Sequence, residues 1–375
     1  MQPMGAPPKP LEIGDFLPDF HLPDQRSRAV SLVTHTLGLP VVLLFYPDAG
    51  RPACQQMLKA FAALQPQLED RAHVFAISAQ TVEQNATTEN VQGLPFRLLA
   101  DPSRTTAALY GIQHNLPGAP LDFLGSGAFT VVVADQNRRI LRLARGVTDP
   151  ALAAEVVSCV ESLDQGEARL MPPVAPVLCV PRVLEPDFCR HLIQVYETQG
   201  NEPSGTMHTA HSGEKSTKFD AARKVRRDHF VRDPGLLEAI RVRLKTRVVP
   251  EIFRATYYRV THFEEFKIVC YEAVDGGHFA PHRDNNNLSA AHRRFAMTLN
   301  LNTGEYEGGA LRFPEFGPHL YRPGLGDAVV FSCALAHQAL PVTAGRRFVL
   351  LSFFFGDEAQ AMRESRDSGL QSRSG

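Results

Sequence analysis

FKIVCYEAVDGGHFAPHRD, residues 266–284, is the stretch at which the chain changes character. Upstream of it, EPDFCRHLIQVYETQ (185–199) and DPGLLEAIRVRLKTRVVPEIFRATY (233–257) carry apolar residues at helical spacing. From Phe266 onward the pattern becomes strand-like and is cut by glycine turns at Gly276-Gly277, Gly308-Gly309 and Gly324 to Gly326. Helices followed by a run of antiparallel strands predict an α+β domain whose strands form a sandwich or jelly roll. The same stretch carries chemistry. His282 and Asp284 are one residue apart, so on an extended strand both side chains leave the same face and one ion can take both. A third ligand has to come from another strand, and His337, in VVFSCALAHQALPV, lies 53 positions after Asp284. Two imidazoles and a carboxylate make the facial triad that leaves coordination positions open on Fe(II). A lone His-x-Asp is commonly structural, but Arg347 follows His337 by ten positions inside PVTAGRRFVLLSFFF, which reads as an antiparallel strand. Its rigid fork matches a carboxylate, while Arg346 points to the opposite face.

Outward to the N-terminus, VVLLFY (41–46), CQQMLKAFAALQPQL (54–68) and HVFAIS (73–78) read as strand, helix, strand, an α/β layer pattern. FRLLAD and a short helical TTAALYG follow, then AFTVVVAD and RRILRLARG joined through a turn at Asp135-Gln136-Asn137, and DPALAAEVVSCVESL closes the unit as a helix. DQGEARLMPPVAPV, with Pro172, Pro173 and Pro176, has no clear period and reads as a linker. The expected organisation is an α/β domain over 1–165, a linker over 166–178, an α+β domain over 179–358 and a polar, disordered tail over 359–375.

Composition narrows the class. The 375 residues are 44% hydrophobic and 21% charged with a formal net charge of -1, an ordinary globular balance with no field to draw the molecule to nucleic acid or an anionic membrane. MQPMGAPPKP lacks an apolar core and no run is long enough to span a bilayer, so the cytoplasm is the default expectation. Six cysteines without C-x-x-C or zinc-like spacing read as reduced thiols. In EKSTKFDAARKVRRDHF, the residues Lys215, Lys218, Arg223, Lys224, Arg226 and Arg227 could line a substrate path; the plainer reading is a solvated face, since acidic residues are mixed in and no aromatic ladder accompanies them.

IVCYEAVDGGHFAPHRD, RRFAMTLNLN, EGGALRFPEFG, GDAVVF and AHQALPVTAGRRFVL, in that order over Phe266 to Phe355, resemble the prolyl 4-hydroxylase-like branch of the 2-oxoglutarate/Fe(II) oxygenases. The resemblance implies a double-stranded β-helix, iron on His282, Asp284 and His337, and the 2-oxoglutarate C5 carboxylate on Arg347, where collagen-type members carry lysine. It also places Tyr271 and Asn300 where family members contact 2-oxoglutarate, although a strand tyrosine is often a core residue and Asn300 equally a turn-side polar group. The implied reaction consumes O2 and 2-oxoglutarate and hydroxylates a C–H bond, with ascorbate as an optional reductant. A peptide, free amino acid or small metabolite is the expected substrate, and a homodimer is left open.

IGDFLPDFHLPDQ, VVLLFYPDAGRPACQQM and LADPSRTTAALYGI resemble the peroxiredoxin family of thioredoxin-fold proteins over about residues 11 to 163, with Cys54 at the peroxidatic position. The start of a helix there favours thiolate. Two positions depart from the family: Arg51 stands where it has threonine, and Ser126 at or near the place of its activating arginine. Both a thiol peroxidase and a partner module that has lost that activity stay open.

Overall fold

The computed structural model describes residues 11–112, 129–163, 166–168, 170–209 and 215–371. They fall into two compact units, Met1–Ala168 and Arg169–Gly375.

The first unit is built on a five-stranded sheet. Its elements are β1 (Val41–Phe45), α1 (Pro52–Leu68), β2 (His73–Ser78), α2 (Val82–Gln92), β3 (Arg97–Ala100), β4 (Phe129–Ala134), β5 (Ile140–Val147) and α3 (Leu152–Glu161). The sheet order is β3-β2-β1-β4-β5, with β1, β2 and β3 parallel and β4 and β5 antiparallel to their neighbours. The unbroken apolar run of β1 follows from burial on both faces. Val42 and Leu44 pack with Phe61 and Val156 of the helices, whereas Val41, Leu43 and Phe45 pack with Phe20 and Tyr110 on the other side. The β4–β5 turn forms where expected, closed by the Asp135 side chain, which accepts from the Asn137 and Arg139 amides. Ser126 lies outside the described residues.

In the second unit, β6 (Leu178–Val180), α4 (Pro186–Gln199), β7 (Glu202–Pro203), β8 (Lys224–Val225), β9 (Arg227–Phe230), α5 (Pro234–Arg247) and α6 (Val249–Thr256) precede the strands read from sequence. Those are β10 (Lys267–Glu272), β11 (His278–His282), β12 (Phe295–Asn300), β13 (Leu311–Arg312), β14 (Leu320–Tyr321), β15 (Ala328–Ser332), β16 (His337–Ala339) and β17 (Arg346–Phe355), followed by α7 (Asp357–Gln371). The larger sheet runs β6-β15-β12-β17-β10-β9-β7, with His262–Phe263 also paired to β17; the smaller runs β8-β11-β16-β13-β14. Period-two alternation divides the larger sheet between two cores. Ile268, Cys270, Phe348 and Leu350 face α4, α5 and α6, whereas Val269, Tyr271 and Val349 meet Leu311, Phe313 and Ala339 of the smaller-sheet side. The site lies on this second side.

Three expectations are corrected. The proline-rich segment taken as a linker over 166–178 belongs largely to the second unit: Ala175 is buried, its amide donates to the Tyr321 hydroxyl, and Leu178 already pairs with Val330. The tail expected to be disordered from 359 is helical to Gln371, with Ala359 buried against the unit. Part of the basic run is not a solvated face, since Lys224 and Arg227 belong to sheet strands and Arg223, Lys224 and Arg226 line a cavity, whereas the side chains of Lys215 and Lys218 lie outside what the structure describes. No helix among the described residues is long and apolar enough to cross a membrane.

Candidate active site

β11 and β16 are antiparallel neighbours, and their register sets His282 directly opposite His337. Asp284 follows β11 and is fixed by its amide, which donates to the Cys333 carbonyl at 3.1 Å. The carboxylate then spans both rings, Oδ1 at 3.5 Å from His282 Nε2 and Oδ2 at 3.4 Å from His337 Nε2. The ligand atoms of the three residues lie within 4.8 Å of one another. Each imidazole faces backward to a carbonyl of its own strand region, His282 Nδ1 to Ala280 O at 2.8 Å and His337 Nδ1 to Leu335 O at 3.1 Å. That contact places the proton on Nδ1 and leaves the Nε2 lone pairs aimed at one point, as metal ligation requires. Burial lowers the His337 pKa despite the nearby Asp284 and so favours the neutral ring. Burial alone would raise Asp284, but His337 and His282, with Arg293 behind them, hold its carboxyl below the usual range.

Arg347, 2% exposed, lies across from Tyr271 in the β10–β17 register. Its guanidinium donates through Nη2 to Asn300 Oδ1 at 3.2 Å and touches Thr298 Oγ1 at 3.5 Å, yet no carboxylate pairs with it among the described residues, and its Nε is buried without an acceptor. A buried cation so placed is complete only when an anion arrives. The Tyr271 hydroxyl accepts from Arg226 at 3.2 Å and the side chain lines the same cavity of about 260 Å³ as the three triad residues and Arg347. Gly309, at φ +63°, passes directly over the Arg347 side chain.

Asn300 has a different place from the one its position implied. Its Nδ2 is committed to Thr303 Oγ1, Tyr306 OH and the Pro323 carbonyl, and its Oδ1 to Arg347; the residue is fully buried and does not line the cavity. It holds Arg347 rather than a ligand. Sequence reasoning also passed over Glu264, which grips Arg293 through two hydrogen bonds of 2.7 and 2.8 Å and His292 through one of 2.8 Å. Lys267 was likewise unread, although it precedes Tyr271 by four residues and so shares its strand face.

In the first unit Cys54 sits in the opening turn of α1 and is 0% exposed. Burial pushes its thiol upward, against the Asp48 backbone and the charge of Arg51, which pull it down. Burial thus opposes the thiolate that the helix start was expected to favour.

Comparison with known proteins agrees with this division. The model of the AhpC/TSA family matches residues 13–140 and that of the 2OG-Fe(II) oxygenase superfamily matches residues 266–355. A Mycobacterium tuberculosis protein named as a peroxiredoxin is 33% identical over 132 residues, 35% of this chain and 83% of that protein. The chain belongs to the AhpC/TSA family. To its peroxiredoxin-like, thioredoxin-fold domain it adds a 2OG-Fe(II) oxygenase domain. Peroxiredoxin Q of rice, a chloroplast protein, is 33% identical over 106 residues, 28% of this chain and 48% of that protein. Among solved structures, the peroxidoxin BcpB of Mycobacterium tuberculosis is similar at 29% identity and a TM-score of 0.37, covering 41% of this chain and 99% of that one.

Proposed function

We propose that the chain is an Fe(II)- and 2-oxoglutarate-dependent hydroxylase of the prolyl 4-hydroxylase-like kind, its two antiparallel sheets forming the jelly roll of that class. One observation carries the reading: the converging nitrogens of His282 and His337 and the Asp284 carboxylate share a cavity with the buried guanidinium of Arg347, which has no anionic partner among the described residues.

The residues fit both groups. His282, Asp284 and His337 offer two neutral nitrogens and one carboxylate on one side of an ion, which suits non-haem iron and leaves other positions open. Arg347 would take the far carboxylate of a dicarboxylic keto acid, its fork held by Asn300 and Thr298, and the Tyr271 hydroxyl would bond the same molecule. Iron with 2-oxoglutarate and O2 would supply the hydroxylation of a C–H bond, one oxygen atom going to the substrate and the other to succinate, with release of CO2. The protein's part is to hold Nε2 lone pairs forward through the Ala280 and Leu335 carbonyls, to keep Asp284 ionised, and to narrow water access with Phe279, whose ring stacks on His282 at 3.5 Å. A peptide or small molecule is the substrate we propose, with ascorbate as external reductant.

Succinate release that needs both Fe(II) and 2-oxoglutarate, and that disappears in Asp284→Ala, is the expected result. An Arg347→Ala protein with unaltered dependence on 2-oxoglutarate concentration would remove the cosubstrate assignment.

A further inference from the structure

Seven lysines and arginines line the cavity of the second unit, against Glu265 and Asp284. Three of the seven are matched by carboxylates: Arg226 by Asp228, Arg283 by Glu315 and Arg293 by Glu264. Arg347 is taken by the cosubstrate in the reading above. Lys224, Lys267 and Arg223 remain, with no carboxylate in ion-pair reach among the described residues.

The two lysines are only partly accessible, and each rests on a ring, Lys224 Nζ at 5.2 Å from the Phe279 centroid and Lys267 Nζ at 4.5 Å from that of Phe230. Lys224 Nζ donates to the Gly205 carbonyl, a neutral acceptor. The nearby Asp228 is already engaged by Arg226 and by the Ser204 hydroxyl. Arg226, Lys224 and Lys267 against Asp228 leave two positive charges unbalanced in a partly desolvated wall, an arrangement that burial penalises until an anion joins it. The wall is also well placed. Lys224 pairs in register with Phe279, whose ring lies on the His282 imidazole, and Lys267 shares a strand face with Tyr271.

We propose that Lys224 and Lys267 form a second anion seat in the oxygenase cavity, receiving a carboxylate or phosphate group of the primary substrate. The seat fixes one end of that substrate beside Phe279, so that its reacting carbon is presented toward His282, Asp284 and His337. Burial draws both lysines toward their neutral forms, Lys224 to about 7, and an anion between them reverses that pull.

The inference rests on the oxygenase reading, and the test reads the two separately. The full chain, loaded anaerobically with Mn(II) and saturating 2-oxoglutarate, is titrated calorimetrically with inorganic phosphate and, in a parallel arm, with acetate. Saturable binding of one probe is expected, the tighter probe naming the substrate's group. It should weaken by about tenfold or more in Lys224→Met and Lys267→Met, as for a lost charge-assisted contact. Lys267→Arg should retain it, and 2-oxoglutarate affinity should stay within about twofold in every variant, since the seats are independent. No saturation by either probe, or saturation unchanged in both Met variants, overturns the proposal. So does a parallel fall in 2-oxoglutarate affinity, which assigns the lysines to the cosubstrate. A wild-type chain that binds no 2-oxoglutarate fails the oxygenase reading alone, and the phosphate arm run without cosubstrate still decides the lysine seat.

Discussion

A methyl group placed on Gly309 would come within 2.9 Å of Arg347 Cδ and 3.0 Å of Val342 Cγ2, on a backbone whose φ of +63° already strains any L side chain. Gly309→Ala is therefore expected to displace the guanidinium without touching a ligand, lowering 2-oxoglutarate affinity by about fivefold or more, while Arg347→Met costs about ten- to a hundredfold. Anaerobic cosubstrate titration measures both, and equal affinity in wild type and Gly309→Ala would disprove the steric link. For Cys54, burial and a raised thiol predict slow alkylation at neutral pH, behind the exposed Cys179. Peptide mapping after timed iodoacetamide treatment checks the order, and early modification of Cys54 would restore the peroxidase reading. The shared side of His282 and Asp284 could be read from their spacing, since alternate residues of an extended segment share a face, whereas Arg347 was placed by its offset from His337 and by the family resemblance. Asn300 could not, since its spacing fits a residue that touches a ligand and equally one that holds the residue that does.

Between elements, Glu264 ties the segment preceding β12 to the approach of β10, and Arg293 passes the connection on to Asp284 by donating to its carbonyl at 3.3 Å. Burial opposes ionisation of Glu264, but His292 and Arg293 outweigh it and bring its pKa to about 2. A depressed carboxyl contributes stability above its unfolded value of about 4.3 and loses it as pH falls toward the folded one. Glu264→Gln should thus cost roughly 3 kcal/mol near neutrality, in the second unit's urea transition, with the difference from wild type shrinking between about pH 4.5 and 2. A difference that stays constant across that range would mean the carboxylate's charge is irrelevant. Strand positions after Phe266 were legible because glycine turns and alternation agree there. The short strands β8 and β9 were not: two to four residues with mixed charge carry no period, and the place of Lys224 is set by the pairing of β8 with β11.

At the scale of the chain, each unit has its own buried clusters, so two unfolding transitions are expected in calorimetry. Mn(II) with 2-oxoglutarate should raise only one of them, by the linkage of a ligand to the folded state that binds it. A common upward shift of both would contradict independent units. The division into an α/β and an α+β unit was readable from the switch in apolar period, yet the limits were not. Pro172, Pro173 and Pro176 look like a spacer in sequence because proline breaks periodicity, and it takes the burial of Ala175 and its bond to Tyr321 to show that the segment lies against a core. The last helix was hidden for the opposite reason: its polar composition resembles a tail, while its first turn is anchored by the buried Ala359 and by Asp357, which accepts from the Thr261 hydroxyl.

The backward contacts of His282 and His337 to their own carbonyls have a consequence for supply. A tripod already assembled demands no rearrangement from an incoming ion, so the fold exercises little choice among first-row divalent metals. Affinity should then climb in the ordinary series from manganese through iron and cobalt to nickel and copper. Protein passed over a nickel resin is expected to leave it carrying nickel, detectable by elemental analysis and silent in turnover until chelated and reloaded with ferrous iron. Iron occupancy in the cell is, on this view, decided by availability outside the molecule.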